Sequence, residues 1–367
     1  MSSLLKDLYS VEFYNRLADS FQKSIPGFDK PQFLTLILQD NFENKELKGR
    51  MKHTATVLHG FLPAAYAETV GLLHRIIPQL RADGFRDNQL EFMFLPDYIE
   101  TYGLDHYELS INALEYVTQF VSCEFAVRPF LLRYDDRMLN QMTAWSRHES
   151  YRVRRLASEG SRPRLPWAMA IPALKKDPQP LLTLLENLKN DSHPWVQRSV
   201  ANHLNDIAKD HPELILSIAK NWRGISKETD AVIKHGCRTL LKQGHPDVLT
   251  LYGLSGEHLH LSDFTIQTPT VQIGENLLFS FAVHNDQALP QLVRLEYAVY
   301  YRKQNGLFSK KVFKISERIY PANERVVVSR NQRFKPITTR TFYPGQHRLS
   351  IILNGQEKAI QSFELTP

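Results

Sequence analysis

The spacing of apolar residues changes once along the chain, and this change limits the folds open to it. Between residues 10 and 250, apolar residues recur three or four positions apart, as in FLTLILQD and LSINALEYVTQFV, the spacing of amphipathic helices. From residue 260 they alternate with polar residues, as in LLFSFAVHN and HRLSIILN, which indicates strands. The sequence therefore predicts an all-α domain over residues 1–255 and an all-β domain over residues 259–367.

The second domain has the pattern of a small β-sandwich. Seven short segments rich in β-branched and aromatic residues follow residue 260, and Asn354-Gly355 between the last two is a strong hairpin signal. Seven strands in one short domain predict an antiparallel sandwich of immunoglobulin-like type. A polar, glycine-containing stretch, Gly253–His260, marks the boundary with the helical part.

The helical part contains a degenerate repeat. The segment SYRVRRLAS at 150–158 aligns with HPWVQRSVA at 193–201, and KDPQPLLTLL at 176–185 aligns with KDHPELILSI at 209–218. Helix pairs that recur about every 40–47 residues are typical of HEAT-type solenoids, whose stacked pairs form a concave face. We therefore predict a HEAT-like repeat solenoid, with a non-repetitive helical bundle as the alternative.

The net charge of +6 is unevenly distributed along the chain. Residues 1–120 carry a net charge of −5, residues 121–257 a net +5 and residues 258–367 a net +6. An acidic N-terminal third followed by a basic remainder favours a surface that faces phosphates, although chance clustering of solvated side chains gives the same pattern. The acidic first helices are expected to cap the solenoid.

Several classes of protein are excluded by composition. No apolar run approaches the roughly 20 residues that span a bilayer, and the first residues, MSSLLKDLYS, do not have the pattern of a secretion signal. Cys123 and Cys237 are the only cysteines, too few for a disulfide scaffold or a thiolate zinc site. We expect a cytoplasmic, nucleoid-associated protein without a membrane partner.

Arginine is concentrated in the first copy of the repeat. Six arginines lie within the 18 residues from Arg147 to Arg164, and arginine binds phosphate through two parallel hydrogen bonds. Tyr151, Trp167 and Trp195 are interleaved with them, as on nucleic-acid surfaces. The tryptophans could equally pack between helices.

Three carboxylates lie within this basic region. Helical spacing places Glu124 beside Arg128, Glu159 beside Arg155, and Asp206 on a polar stripe with Arg198 and Asn202. A structural salt-bridge network is the commoner explanation of any single pair. A carboxylate in a DNA-facing groove would repel phosphates, however, whereas near a deoxyribose it could stabilise an oxocarbenium-like transition state.

These residues resemble a known family. The arginine-rich segment 150–164, Trp167 and the stretch HPWVQRSVANHLNDIAKDHPEL are similar to the HEAT-like-repeat alkylpurine DNA glycosylases AlkC and AlkD. The similarity covers essentially residues 1–250, and the C-terminal β-sandwich points to the AlkC branch. The resemblance implies excision of cationic N-alkylated bases, chiefly 3-methyladenine and 3-methylcytosine, from duplex DNA without extrusion of the base into a deep pocket. It also implies a monofunctional enzyme without metal or other cofactor, and we expect a monomer.

The resemblance also implies roles for individual residues. Catalytic or lesion-contacting roles fall to Glu124, Glu159, Asp206 and Trp167, whose indole can face a cationic base. DNA-binding roles fall to six arginines, of which Arg155 and Arg162 also order the site: Arg152, Arg154, Arg155, Arg162, Arg164 and Arg198.

The β-domain is expected to act as a second DNA clamp. Its cations are concentrated in Arg302-Lys303, Lys310-Lys311 and the segment Arg325–Arg340. A lectin- or adhesion-like module, or a passive stabiliser, would have similar features. For the whole chain, the alternative to a glycosylase is a non-catalytic HEAT-repeat scaffold that binds DNA or protein.

Overall fold

The fold was described from a computed structural model, in which residues 4–39, 41–254, 256–336 and 340–367 are described. Helices occupy the described chain up to Leu251, and strands occupy it from Leu259. The helices are α1 (Val11–Ser24), α2 (Lys30–Ile37), α3 (Leu47–His59), α4 (Tyr66–Ala82), α5 (Phe94–Tyr102), α6 (Tyr107–Val117), α7 (Val127–Trp145), α8 (Tyr151–Gly160), α9 (Pro172–Lys176), α10 (Leu182–Leu188), α11 (Pro194–Ile207), α12 (Pro212–Trp222), α13 (Lys227–Gly236), α14 (Arg238–Gln243) and α15 (Pro246–Leu251).

The repeat predicted from the sequence corresponds to a row of packed helices. Helix α11 packs against α8 on one side and against α13 on the other. Val153 of α8 and Val196 of α11, which the alignment pairs, are both fully buried, as are Ala157 and Val200. The two copies therefore place matching apolar residues at the same depth, because each helix buries one stripe against its neighbour.

Polar side chains link successive copies of the repeat. The hydroxyls of Ser199 and Ser158 lie 3.0 Å apart, within hydrogen-bond distance, and the Thr229 hydroxyl donates to the Lys189 carbonyl at 3.0 Å. The bonded residues are 41 and 40 positions apart, close to one repeat length. Such bonds satisfy polar groups that helix packing removes from water.

The β-sandwich is formed by two sheets. The strands are β1 (Leu259–Ile266), β2 (Thr270–Gln272), β3 (Asn276–Asn285), β4 (Gln291–Arg302), β5 (Phe308–Tyr320), β6 (Arg325–Arg333), β7 (Gly345–Leu353) and β8 (Gln356–Thr366). One sheet has the order β1-β3-β6, and the other has the order β2-β8-β7-β4-β5. Alternate residues of both sheets, among them Phe279, Val299 and Ile351, are fully buried in a shared core.

The expected number of strands was one too low. The described residues contain an eighth strand, β2, whose three residues pair in parallel with β8. The other pairings between strands of the described residues are antiparallel. A three-residue strand is too short to show an alternating pattern, which explains why the sequence did not reveal it. The overall class, helical repeats followed by an immunoglobulin-like sandwich, is confirmed.

The packing of the chain does not follow the predicted domain boundary in detail. Among the described residues, one compact unit comprises those within 1–211 and 221–236, and the other comprises those within 212–220 and 237–367. Helices α14 and α15 therefore belong with the strands. The division at residues 255–259 stays a prediction, and Ser255 lies outside the described residues. None of the described helices combines the length and apolar character that crossing a bilayer requires.

The predicted hairpin turn lies between β7 and β8. Asn354 and Gly355 have φ values of 44° and 75°, the left-handed conformation that a two-residue I′ turn requires at both positions. A Cβ atom on Gly355 would lie 2.7 Å from a methyl carbon of Leu249 and 2.9 Å from the Cα atom of Gly244. The turn thus packs closely against the helices of its own unit.

We expect Gly355→Ala to lower the free energy of unfolding by about 3 kcal/mol, because backbone strain and overpacking each cost about 1–3 kcal/mol. Gly306→Ala is the matched control: its φ is 78°, but a Cβ atom there meets nothing within 4 Å. That variant should lose only about 1 kcal/mol, from strain alone. Thermal or denaturant unfolding measures both, and equal losses would show that packing at the turn contributes nothing.

Candidate active site and nucleic-acid interface

The segment that follows α8 is held by a buried arginine. Arg128 of α7 has no exposed surface, and its guanidinium donates to the carbonyls of Gly160, Arg162 and Met169 at 2.7–2.8 Å. Three backbone carbonyls on one guanidinium fix the segment 160–169 against α7. This segment carries Arg162, Arg164 and Trp167, so Arg128 positions three of the predicted site residues.

Arg162 joins two of the predicted carboxylates. Its Nη1 donates to Glu159 Oε1 at 2.6 Å, and its Nε and Nη2 lie 2.9 and 2.8 Å from Asp206 Oδ2. The side chains of Arg162, Glu159 and Asp206 are only 7%, 9% and 3% exposed. One buried guanidinium thus places two carboxylates from successive repeats side by side, and we call these three residues the Arg162 cluster.

Other polar residues complete the Arg162 cluster. The Ser199 hydroxyl donates to Glu159 Oε2 at 2.6 Å, and the Lys209 ammonium donates to Asp206 Oδ1 at 3.1 Å. Each oxygen of both carboxylates therefore accepts at least one hydrogen bond. Buried charges persist in proteins when they are paired and hydrogen-bonded in this way.

Charges in this region shift the pKa values of the basic groups. Burial alone would lower the pKa of Arg162, but the charges of Glu159 and Asp206 outweigh it and hold that pKa above its usual value. Burial, aided by the nearby Arg162, lowers the pKa of Arg128 to about 10. Burial and Arg162 together lower the pKa of His203 to about 3, so this imidazole is neutral at physiological pH.

The third predicted carboxylate lies in a more open position. Glu124 Oε2 is 2.8 Å from Arg155 Nη2 and accepts a hydrogen bond from the Ser122 hydroxyl at 2.8 Å. Arg155 Nη1 in turn donates to that hydroxyl at 3.0 Å. The Glu124 side chain is 17% exposed, and no hydrogen bond is found for its Oε1 among the described residues. Of the three carboxylates, Glu124 is therefore the one with an oxygen available to a ligand.

The partners expected for these carboxylates from helical spacing were wrong. Glu124 pairs with Arg155 rather than Arg128, and Glu159 pairs with Arg162 rather than Arg155. Asp206 pairs with Arg162 and Lys209, not with Arg198, and is buried rather than part of a solvated stripe. The reason is that α8 and α11 pack against each other and against the segment 160–169, so that contacts between repeats replace those along one helix.

Trp167 projects from the segment that Arg128 holds. Its side chain is 64% exposed, and its backbone has a φ of 67°, which is uncommon for a bulky residue. Its carbonyl accepts a hydrogen bond from the ammonium of Lys48 in α3. The protein thus holds the backbone in a strained conformation while leaving the indole open, a combination that occurs at functional sites.

The predicted phosphate-binding arginines differ in whether their guanidinium groups already pair with other groups of the protein. Arg154 makes two bonds to Asp191, at 2.6 and 3.2 Å, and two more to backbone carbonyls. Arg164 makes a two-pronged pair with Asp210, and Arg152 contacts Asp87 and Asn88. Arg198 is exposed, with no bond or ion pair found among the described residues. The geometry thus favours Arg198 over Arg154 for phosphate contact, and all six assignments stay predictions.

The aromatic residues of the region also differ in exposure. Trp195 is 51% exposed, so it does not pack between helices. Tyr151 is stacked on the imidazole of His193, with ring centroids 3.5 Å apart. Of the residues interleaved with the arginines, Trp167 and Trp195 are therefore the ones that present an open ring.

Lys311 of β5 lies close enough to Arg340, in the segment after β6, and to Lys242 of α14 for their charges to interact. Lys311 is exposed, and burial together with the charges of Arg340 and Lys242 lowers its pKa. Lys310 is instead paired with Glu357 at 2.9 Å, and Arg325 is paired with Asp263. Residues 337–339 of the predicted basic segment lie outside the described residues.

Sequence reasoning missed the residues that support the site. Arg128, Ser199 and Lys48 act through contacts 32 to 119 positions away in the chain, which no local pattern reveals. The one available signal was the position of Arg128 in an otherwise apolar helical stretch, VRPFLL. A charge there must be paired or hydrogen-bonded inside the protein.

Family models and relatives match this chain. The model described as "DNA alkylation repair enzyme" matches residues 105–224, and the model of the C-terminal Ig-like domain of the uncharacterised protein YhaZ matches residues 260–367. The uncharacterised YhaZ protein of Bacillus subtilis (strain 168) is 44% identical over 362 residues, which are 98% of this chain and 99% of that protein.

A solved structure is similar over the full length. The alkylpurine DNA glycosylase AlkC of Pseudomonas fluorescens, bound to DNA containing an abasic site analog, is 35% identical, with a TM-score of 0.93 and 100% of both chains covered. With this similarity and the match to DNA alkylation repair enzymes over the helices that hold the Arg162 cluster, the chain belongs to the AlkC family of DNA alkylation repair enzymes.

Proposed function

We propose that the protein is a monofunctional alkylpurine DNA glycosylase. It hydrolyses the N-glycosidic bond of cationic N-alkylated bases in duplex DNA, 3-methyladenine and 3-methylcytosine among them, and leaves an abasic site for base excision repair. Membership of the AlkC family supports this proposal, as does the similarity to a glycosylase bound to an abasic site analog.

One feature of the site carries the proposal: Glu124, a partly exposed carboxylate, lies among arginines that are expected to face DNA. A pure DNA-binding surface gains nothing from anions near phosphates, since like charges repel. Glu124 has a partly exposed side chain and an oxygen that Arg155 and Ser122 leave unused. We therefore assign Glu124 to the contact with the deoxyribose, and the Arg162 cluster to the support of the site.

The reaction needs stabilisation of positive charge on the sugar. The bond between C1′ and the base nitrogen breaks, and its electron pair moves to the cationic base, which leaves neutral. Positive charge then develops on C1′ and O4′, and a nearby carboxylate stabilises it electrostatically. A water oxygen bonds to C1′ and loses one proton to the carboxylate or to solvent.

The cationic lesion explains the modest catalytic equipment. A methylated base that already carries a positive charge is a good leaving group, so the reaction needs neither a strong general acid nor a cofactor. The exposed indole of Trp167 offers a cation–π contact to such a base, worth about 0.5–2 kcal/mol. We further propose that the protein acts as a monomer and that it does not extrude the base into a deep pocket.

The release of bases from methylated duplex DNA tests the proposal against the scaffold alternative. The wild-type protein should release 3-methyladenine from DNA treated with a methylating agent, detected by chromatography of the soluble fraction. Tight binding of the DNA without any released base would instead favour a non-catalytic scaffold.

The basic surface of the sandwich is proposed to contact DNA phosphates. Lys311 lies near Arg340 and Lys242, and phosphate would relieve the repulsion among these cations. We expect Lys311→Gln to reduce the slope of log affinity against log salt by about one unit, as for one lost phosphate contact. Lys310→Gln is the matched control, because Glu357 already pairs with Lys310. Titration of full-length protein with duplex DNA at several salt concentrations measures both slopes, and an unchanged slope for Lys311→Gln would contradict the contact.

A further inference from the structure

A cavity of about 260 Å³ lies beside Trp167 in the helical unit. Its walls come from α3, from α5 and the residue before it, and from the segments 125–126 and 167–169. This volume lies below the roughly 300–1,000 Å³ of pockets that hold drug-sized ligands. The cavity therefore suits an occupant of the size of one heteroaromatic base rather than a nucleotide.

Two carboxyl groups of α5 line the cavity. Asp97 and Glu100 are three positions apart, and neither forms an ion pair with any described residue. Asp97 Oδ2 is buried without a hydrogen-bond partner. Burial and the neighbouring Asp97 raise the pKa of Glu100 to about 7, and burial raises the pKa of Asp97. Near neutral pH this pair of groups therefore offers both a proton donor and acceptor oxygens.

The rest of the lining suits a flat, neutral ring. Phe125 and Trp167 supply aromatic surface, and methionines from three segments supply polarisable sulfur. Lys48 and Lys52 also line the cavity, so the positive charge of the two ammonium groups equals or exceeds the negative charge of the two acids. A cation would find little net attraction there, whereas a neutral ring with donors and acceptors meets complementary groups.

The cavity adjoins the proposed catalytic carboxylate. Phe125, in its wall, directly follows Glu124 in the chain, and Trp167, at its edge, belongs to the segment that carries Arg162. The cavity wall and the proposed sugar contact therefore come from neighbouring residues, which places the expected release of the base in the same part of the helical unit.

We propose that this cavity binds the methylated base after its release, an inference that rests on the proposed glycosylase function. Cleavage leaves 3-methyladenine neutral, with an amino group beside a ring nitrogen. A protonated carboxyl group donates to that nitrogen and accepts from the amino group, giving two parallel hydrogen bonds. Glu100 is the group assigned to this pairing, and Asp97 supplies the second carboxyl.

Direct binding of free 3-methyladenine to the full-length protein, measured by calorimetry in the absence of DNA, tests the inference. The wild-type protein should bind the free base. Glu100→Met should weaken binding about tenfold to hundredfold, as expected for lost bonds to a charged or acidic group. Glu100→Gln should restore most of the affinity, because an amide also offers one donor edge and one acceptor edge. Glu12→Gln, at an exposed acid on α1, is the control and should bind as wild type.

Base release from methylated DNA, measured on the same preparations, separates the two proposals. If the wild type releases bases but does not bind free 3-methyladenine, or if Glu100→Met binds it as tightly as wild type, the cavity does not hold the product and the glycosylase function stands. If the wild type releases no base, the glycosylase function fails. The titration without DNA still tests whether the cavity binds the base. If the wild type binds free 3-methyladenine and Glu100→Met does not, the proposed site is supported.

Discussion

Replacement of Glu124 with glutamine is expected to slow base release by about 10²–10³-fold, the usual cost of removing one electrostatic contact to a transition state. We assign the stabilisation of charge on the sugar to the carboxylate oxygen that Arg155 and Ser122 leave unused, and a neutral amide cannot provide it. Glutamine keeps the shape of the side chain and removes a charge that repels phosphates, so affinity for DNA should not fall. Single-turnover excision from methylated duplex, alongside a DNA titration, measures the two effects separately.

Glu149→Gln is the matched control for this variant. Glu149 is an exposed acid one residue before the start of the arginine-rich segment 150–164, and only its backbone carbonyl takes part in a described hydrogen bond. It should excise and bind as wild type. The assignment of Glu124 would be contradicted if Glu124→Gln excised at the wild-type rate, or if its loss of excision followed entirely from weaker DNA binding.

Replacement of Arg162 with methionine should cause the largest loss of stability, about 3–5 kcal/mol. This is the usual cost of removing one partner from a buried ion pair, because Glu159 and Asp206 would keep their charges in a site where they are 9% and 3% exposed. Denaturant unfolding followed by circular dichroism of the helices measures the loss. Excision should also fall, because the segment 160–169, which carries Trp167, would lose its contacts to Glu159 of α8 and Asp206 of α11.

Arg164→Met provides the comparison, two residues away. The Arg164–Asp210 pair has good geometry but is about one-third exposed on both sides, and pairs in contact with solvent contribute at most about 1 kcal/mol. A clear difference between the two variants is expected. Equal losses would mean that burial of the Arg162 cluster does not govern its contribution to stability.

The sequence was informative where a pattern is local. The change from helical to alternating spacing near residue 258, the alignment at an offset of one repeat, and the Asn354-Gly355 turn each correspond to features of the structure. Each depends on residues within one or two elements, so composition and spacing are enough. The three-residue strand β2 falls below that limit, because it is recognisable only through its pairing with β8.

The site was harder to predict because it is assembled between repeats. Helical spacing assigned Asp206 to a solvated stripe with Arg198, whereas packing of α11 against α8 buries it on Arg162, 44 positions away. The same packing makes Arg128 the support of the segment 160–169, although its sequence position suggested only a neighbour for Glu124. Contacts at this separation depend on the angle between helices, which a single sequence does not reveal.

The arginines illustrate the same limit for binding. Their density predicted a phosphate surface, but several of them already pair with acids of the next repeat, such as Arg154 with Asp191 and Arg164 with Asp210. Charge density on the sequence therefore overstates the charge free to meet DNA. We therefore expect Arg198, for which no partner is found in the described part of the chain, to be more available to phosphate than Arg154 or Arg164.

The formation of an abasic site at one defined lesion tests the central claim most directly. A duplex with a single 3-methyladenine and a labelled strand is incubated with excess protein and then treated with alkali, which cleaves the strand at an abasic site. We predict cleavage at the lesion position with wild type, only after alkali, and little cleavage with Glu124→Gln at matched DNA occupancy. Intact strand after alkali, with wild-type protein bound to the duplex, would contradict the assignment of glycosylase chemistry to these carboxylates.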